Sequence, residues 1–251
     1  MEVHSHSHTE RKKWTHYLWE FLMLFLAVFA GFIAENLREN FVERQKEKQY
    51  IVSLIDDLKK DTFNINRTAR LSFKISRGQD SLIDLLHDFK DTGNISAKCY
   101  RYYFLYTTLF PKVVFNERTI SQLLNAGNMR LIEKAGMSDS IMNYSLLVKA
   151  VQEEGEAYME YFKKTLDLSI SIFDFSLANG TLHENYTITP RRQLQKNELK
   201  FVTTDSAILN KYAIQLSLSK TIFQSYVLNI KEAKDKAALL IALLKKKYHL
   251  E

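Results

Sequence analysis

The sequence predicts an all-α protein: one N-terminal transmembrane helix that continues into an elongated antiparallel helical bundle. Three observations lead there. The 251 residues contain only 2 Pro and 7 Gly, against ordinary usage of about 5% and 7%, so few turns can interrupt helices. Phe21 to Ala34 reads FLMLFLAVFAGFIA, with no polar side chain. Beyond it, apolar residues recur at helical spacing, as in Ile51, Ile55, Leu58, Ile65 and Ala69, with Thr62 filling one slot.

The apolar run alone is short for a bilayer crossing, which takes about 20 residues. Trp14, Tyr17, Leu18 and Trp19 extend it to residues 14–34, and Trp and Tyr suit the headgroup boundary. A cleaved signal peptide also has a basic start and an apolar centre, but Glu20 and the Trp/Tyr cluster oppose that reading. A buried core helix is opposed by the nearly continuous apolar circumference.

On a helical wheel Glu20, Leu24, Ala27, Gly31, Ala34 and Arg38 form one stripe. Leu18, Leu22, Phe25, Phe29, Phe32 and Ile33 lie opposite. Small residues let helix backbones approach closely, and an intramembrane carboxyl rarely faces lipid. Glu20, Ala27, Gly31 and Ala34 therefore mark a face for another copy of the chain or for a partner helix. The competing reading is that Glu20, six residues in from Trp14, reaches the interface.

Downstream, Glu35 to Gln49 is a mixed-charge helical stretch. The first helix is expected to run to about Ser76 and break near Gly78. A short helix follows over Gln79 to Phe89, then a turn at Asp91-Thr-Gly-Asn94. The next helix, Ala97 to Phe110, stops at Pro111. Thr119-Ile-Ser-Gln122 fits a capping box, and Gly127 can close its helix. Ser138 caps a long helix to about Phe175. Asn179 to Pro190 is the longest irregular stretch. Asp205 starts a last helix to about Tyr248, with Ile208, Tyr212, Leu216, Ile222, Phe223, Tyr226 and Ile230 as its apolar positions. The organisation is thus a His-rich basic tail at 1–13, the span at 14–34 and a helical body at 35–251, with 97–137 as a possible small head.

Net charge is +6, but acids and bases alternate along the chain, so no nucleic-acid partner is expected. Membrane lipid is the expected partner of the span. Lys245, Lys246 and Lys247 end the last helix, where they suit either the helix dipole or anionic headgroups. The single cysteine, Cys99, excludes an intrachain disulfide, and its aromatic neighbourhood favours a buried, inert thiol.

No Walker loop, dinucleotide fingerprint, nucleophile elbow or HExxH motif occurs. Adjacent acids such as Asp56-Asp57 and Glu153-Glu154 point apart on a helix and read as solvated faces. No catalytic residue is assigned, and an enzyme is not expected. His4, His6 and His8 share one face of an extended chain and form a possible weak divalent-metal site, with His16 as a fourth ligand; the alternative is a flexible polar tail.

Two stretches carry a resemblance. His4-Ser-His-Ser-His8, Glu10-Arg-Lys-Lys13 and EFLMLFLAVFAGFIAENLRE (Glu20 to Glu39) resemble the start of an uncharacterised family of Bacteroidota single-pass membrane proteins. RTISQLLNAGNMRLIEKAGMSDSIMNYS (Arg118 to Ser145) resembles that family's second signature. Together they cover about a third of the chain. The resemblance implies a bacterial inner-membrane protein with a periplasmic helical body and supplies no catalytic residues. Positive charge barely discriminates orientation; the short basic start favours a cytoplasmic N-terminus.

Three functions follow as alternatives. One is a non-enzymatic, homo-oligomeric scaffold or accessory subunit of an envelope complex. Another is an oligomeric ion or proton channel lined by Glu20. The third is a periplasmic sensor that needs a separate transducer.

Overall fold

A computed structural model describes residues 14–87, 89, 94–178, 180–184, 188–190 and 199–250. The chain divides into two compact units, Met1–Ile51 and Val52–Glu251. The described residues are all-α apart from one very small hairpin. Helix α1 covers Trp14–His87, α2 Asn94–Tyr106, α3 Arg118–Asn125, α4 Met137–Ser169 and α5 Ser206–Tyr248. Strands β1 (Gly180–Leu182) and β2 (Ile188–Pro190) pair antiparallel within the stretch read as irregular, Gly180 opposite Pro190.

The second unit is organised by three helical seams. Buried residues step by three and four along α1, with one step of seven from Ile65 to Ser72 (Leu54, Leu58, Asp61, Ile65, Ser72, Ile75, Gln79, Leu82, Leu86). The same stepping runs along α4 from Met137 through Tyr144, Val151 and Tyr158 to Ser169, and along α5 from Leu209 through Leu216, Phe223 and Ile230 to Leu244. A 3.5-residue period keeps one stripe of a helix against its neighbours, as in coiled-coil packing. Besides Ala69, which is half-buried, the α1 seam differs from the expected one at one slot. Asp61, not Thr62, is buried there, and the Thr62 hydroxyl turns back to the Lys59 carbonyl at 2.7 Å.

Contacts set the helix directions. Asp61 of α1 meets Tyr144 of α4, while Leu82 and Leu86 share a cluster with Ile172 and Phe173 just beyond α4. Within this unit α1 and α4 therefore run parallel. Gln224 reaches Ser76 and Lys220 pairs with Asp80, so α5 runs opposite to both. Of the helices, α4 and α5 pack most closely, helped by Gly155, where an added Cβ would sit 3.3 Å from the Tyr226 ring.

Helix α1 does not break at Gly78. It continues to His87, and Gly78 sits against α2, where a Cβ would fall 2.0 Å from Cδ2 of Tyr106. The glycine is required by close packing and not by a turn. Helix α2 ends at Tyr106, four residues before the expected stop. The Thr107 and Thr108 hydroxyls donate to the Tyr103 and Phe104 carbonyls at 2.8 and 2.9 Å, and Pro111 excludes further helix. Gly127 closes α3 in the left-handed region, as expected, with φ 64°. Gly136, not Ser138, precedes α4, and that helix ends at Ser169. Asp205 caps α5 as expected, its Oδ1 accepting from the Ala207 N–H at 2.8 Å.

Two clusters among the described residues make up part of the core. One holds Leu82, Leu86, Cys99, Tyr100, Tyr103, Phe173 and Tyr212. There the Tyr103 and Phe173 rings stack at 4.0 Å, and Tyr100 donates to Lys200 O while accepting from Asp174 N. The other holds Ile65, Ile75, Val113, Val151, Tyr158, Phe223 and Tyr226. The Tyr226 hydroxyl accepts from the Val113 N–H at 3.0 Å. Residues 97–137, offered above as a small head, thus contribute to both clusters, and the segment after α2 lies along α1.

Candidate functional site

The first candidate lies wholly in the first unit. Between Trp14 and Ala34 every described side chain is exposed. The most apolar 18-residue window of α1 has mean hydropathy 2.0, and none of it is buried. The core helix of a soluble protein would be mostly covered, so this segment is one helix long and apolar enough to cross a membrane with its apolar surface uncovered.

Glu20, Ala27, Gly31 and Ala34 all lie on this exposed helix. A Cβ placed on Gly31 would meet nothing within 4 Å. On the other side Phe21, Phe25 and Phe29 stack in series, with centroids 6.4 and 5.9 Å apart. The small stripe and the aromatic ladder thus occupy different sides, as the wheel predicts. Glu20 is not isolated: its Oε1 lies 3.0 Å from His16 Nε2, one turn toward the N-terminus. The imidazole read as a possible fourth metal ligand instead faces the carboxylate. Just past the span, Arg38 Nε donates to Glu35 at 2.9 Å.

The second candidate lies in the second unit and escaped the sequence reading. Asp57 is buried while its neighbour Asp56 is exposed, so the pair is not simply a solvated face. Asp57 Oδ2 accepts from the Thr119 hydroxyl at 2.6 Å and from the Thr119 N–H at 3.2 Å, and Oδ1 takes Arg118 at 3.2 Å. The expected capping box does not form, because Thr119 is committed to Asp57. Helix α3 is capped by a carboxylate from α1, which satisfies a free N–H and complements the helix dipole.

One turn on, Asp61 Oδ1 accepts from Asn116 N at 2.7 Å and Asn116 Nδ2 at 2.8 Å. Its Oδ2 accepts from the Tyr144 hydroxyl at 2.9 Å. Burial raises the Asp61 pKa; the Asn116 and Tyr144 hydrogen bonds oppose that rise, and the Asp57 charge adds to it. Tyr144 is pushed up too, first by burial and then by the Asp61 charge. With the bond from Asn64 Nδ2 to Val114 O at 3.0 Å, the two acids staple residues 114–119 to α1.

No known family model, curated protein or solved structure matches the chain.

The remaining site residues are dispersed. His4, His6 and His8 lie outside the described residues, as do the three basic residues at 11–13. Among the described residues no group of three or more His, Cys, Asp or Glu is placed to hold a metal. Lys245, Lys246 and Lys247 form the last turn of α5. The Lys245 carbonyl accepts from the N–H groups of His249 and Leu250, with His249 in the left-handed region at φ 52°. The lysines thus sit where backbone carbonyls concentrate partial negative charge. Of the other acid pair, Glu153 faces Lys149 and Glu154 accepts from Asn229. Cys99 is fully buried, and desolvation pushes its thiol up to about 12, well away from the reactive range.

Proposed function

We propose that the chain is a non-enzymatic, single-pass membrane protein that acts as a scaffold or accessory subunit of a bacterial envelope complex. Residues 14–34 cross the inner membrane, with the N-terminus in the cytoplasm and the helical body in the periplasm. Assembly with further copies, or with a partner helix, runs through Glu20, Ala27, Gly31 and Ala34. The observation that carries this reading is the uncovered apolar helix, hydropathy 2.0 with none of the window buried. The resemblance of the His-rich start and the span to the Bacteroidota family supports the bacterial inner membrane.

The body supports a structural role. Its buried acids Asp57 and Asp61 are saturated by hydrogen bonds that fasten one segment to another. That bonding gives both acids a part in holding residues 114–119 against α1. The test is fractionation followed by crosslinking in native membranes. The chain should resist alkaline carbonate extraction and give discrete oligomers or one defined heteromer. Release into the carbonate supernatant, or a monomer at every concentration in mild detergent, would contradict the proposal.

The His16–Glu20 contact favours a second reading, an oligomeric ion or proton channel, because it sets two titratable groups one turn apart at the start of the span. In liposomes, Glu20→Gln would then abolish flux; unchanged flux rejects the channel.

A further inference from the structure

The alternation of acids and bases along the chain fails in two places. Residues 62–79 hold Arg67, Arg70, Lys74 and Arg77 and no acid; residues 150–162 hold Glu153, Glu154, Glu156 and Glu160 and no base. The four cations step by three and four along α1, and Glu153, Glu156 and Glu160 do the same on α4. That period keeps each set in one stripe, and each stripe lies opposite the buried seam of its helix. All seven side chains are exposed. Elsewhere in the second unit exposed charges pair within their own helix, as Lys59 with Asp56 at 3.6 Å and Lys231 with Asp235 at 3.0 Å. In the two stripes only Glu153 does so, with Lys149 at the edge, 3.9 Å away. Arg67, Arg70, Lys74 and Arg77 pair with no acid among the described residues, and Glu156 and Glu160 with no base.

The stripes also stand at one height. Helices α1 and α4 run parallel, and Asp61 meets Tyr144 at 2.9 Å. Ile75 and Tyr158, each fourteen residues farther along its helix, share one core cluster, so the two helices stay in step. Counted from the Asp61–Tyr144 contact at about 1.5 Å per residue, the cations occupy roughly 9 to 24 Å and the glutamates roughly 14 to 24 Å. Rotation about an axis parallel to the helices changes a residue's bearing and not its height. A copy related by such an axis therefore sets its α4 stripe level with the α1 stripe of the first, with the two helices parallel.

We infer that a second copy of the chain docks here, the 67–77 stripe of one copy facing the 153–160 stripe of the next. A separate polyanion would satisfy the cations but would give no reason for acids of equal period and height on α4. Exposed ion pairs are individually weak; as a level row they fix the register and orientation in which copies meet. The inference goes beyond the assembly face on the span and uses residues of the second unit only.

The test uses the full chain in native membranes, in a Cys99→Ser background. Chains with Lys74→Cys and chains with Glu156→Cys carry different tags and are co-expressed and oxidised. Each has one cysteine, so a disulfide that joins the two tags links separate copies. The mixed-tag yield should exceed the yield between two Lys74→Cys chains. Adding Arg67→Glu and Arg70→Glu to the first chain should cut the mixed yield about tenfold through like-charge repulsion. Adding Glu153→Lys and Glu160→Lys to the second should then restore it, because the charges are exchanged. All these positions are exposed. No mixed-tag disulfide, a yield unchanged by the reversal, or a loss that the exchange leaves in place would overturn the inference. Gly31→Cys reports separately on the span: dimers through Gly31→Cys without dimers through 74 and 156 refute this docking alone, and the reverse refutes the span face alone.

Discussion

Replacing Asp61 in two ways separates its charge from its hydrogen bonds. The carboxylate accepts three bonds, two from Asn116 and one from Tyr144. Asp61→Ala removes both acceptor oxygens and so all three bonds, and strands a backbone N–H and a buried phenol. Leaving a buried donor unpaired costs about 1–3 kcal/mol, so the alanine variant should lose roughly 3–5 kcal/mol. Asp61→Asn keeps a carbonyl oxygen for Asn116 and offers an N–H to the Tyr144 oxygen. It also removes a charge that burial disfavours, so at neutral pH it should stay within about 1 kcal/mol of wild type.

The pH dependence follows from the direction of the shift. The Asp61 pKa is raised in the folded state, so its contribution is full below the unfolded value of about 3.9 and is lost as pH rises through the folded value. Wild type should therefore lose stability relative to Asp61→Asn as pH rises from about 4. Denaturant unfolding in detergent at a series of pH values measures both effects. If asparagine cost as much as alanine, or if wild type gained stability relative to Asp61→Asn as pH rose, the assignment would be wrong.

Gly78→Ala should destabilise the body by about 1–3 kcal/mol through overpacking against Tyr106, although helix propensity alone would favour alanine by about 1 kcal/mol. In a Tyr106→Ala background the same change should become stabilising; a rise in melting temperature for Gly78→Ala alone would refute the packing argument. Cys99 should resist a thiol reagent at pH 8, where a pKa of about 12 leaves roughly one thiol in ten thousand ionised, and should react fully on denaturation. Fast native labelling would show that the α2 core opens readily. Asp205→Ala should cost about 1 kcal/mol of α5 stability by removing its N-cap, measured as faster amide exchange in the first turn; unchanged exchange would exclude the cap.

What was legible in the sequence was local. The long apolar helix at the start, the Asp205 cap, the Gly127 closure and the run of α5 to Tyr248 each depend on residues within a few positions of one another. The unforeseen features depend on partners far along the chain. Gly78 reads as a helix breaker until Tyr106 is placed over it, 28 residues later. Thr119 reads as half of a capping box until Asp57, 62 residues earlier, claims its hydroxyl and its N–H. The α1 slot between Leu58 and Ile65 reads as Thr62 because Thr62 resembles an apolar filler more than Asp61 does. One signal for the acid pair was present: Asp57 and Asp61 are four apart, and Asp61 stands in the three-four series that joins Leu58 to Ile65. A charged residue on a buried stripe needs a partner, but the sequence does not say that Asn116 and Tyr144 supply it.

Cysteine scanning of the span tests the central claim most directly. In a Cys99→Ser background, single cysteines at Ala27, Gly31 and Ala34 are compared with cysteines at Phe25, Phe29 and Phe32, all oxidised in native membranes. Efficient crosslinking confined to the first three, to a second copy or to one partner, is the predicted result. Equal crosslinking around the helix, or crosslinking through the phenylalanine side alone, would contradict it.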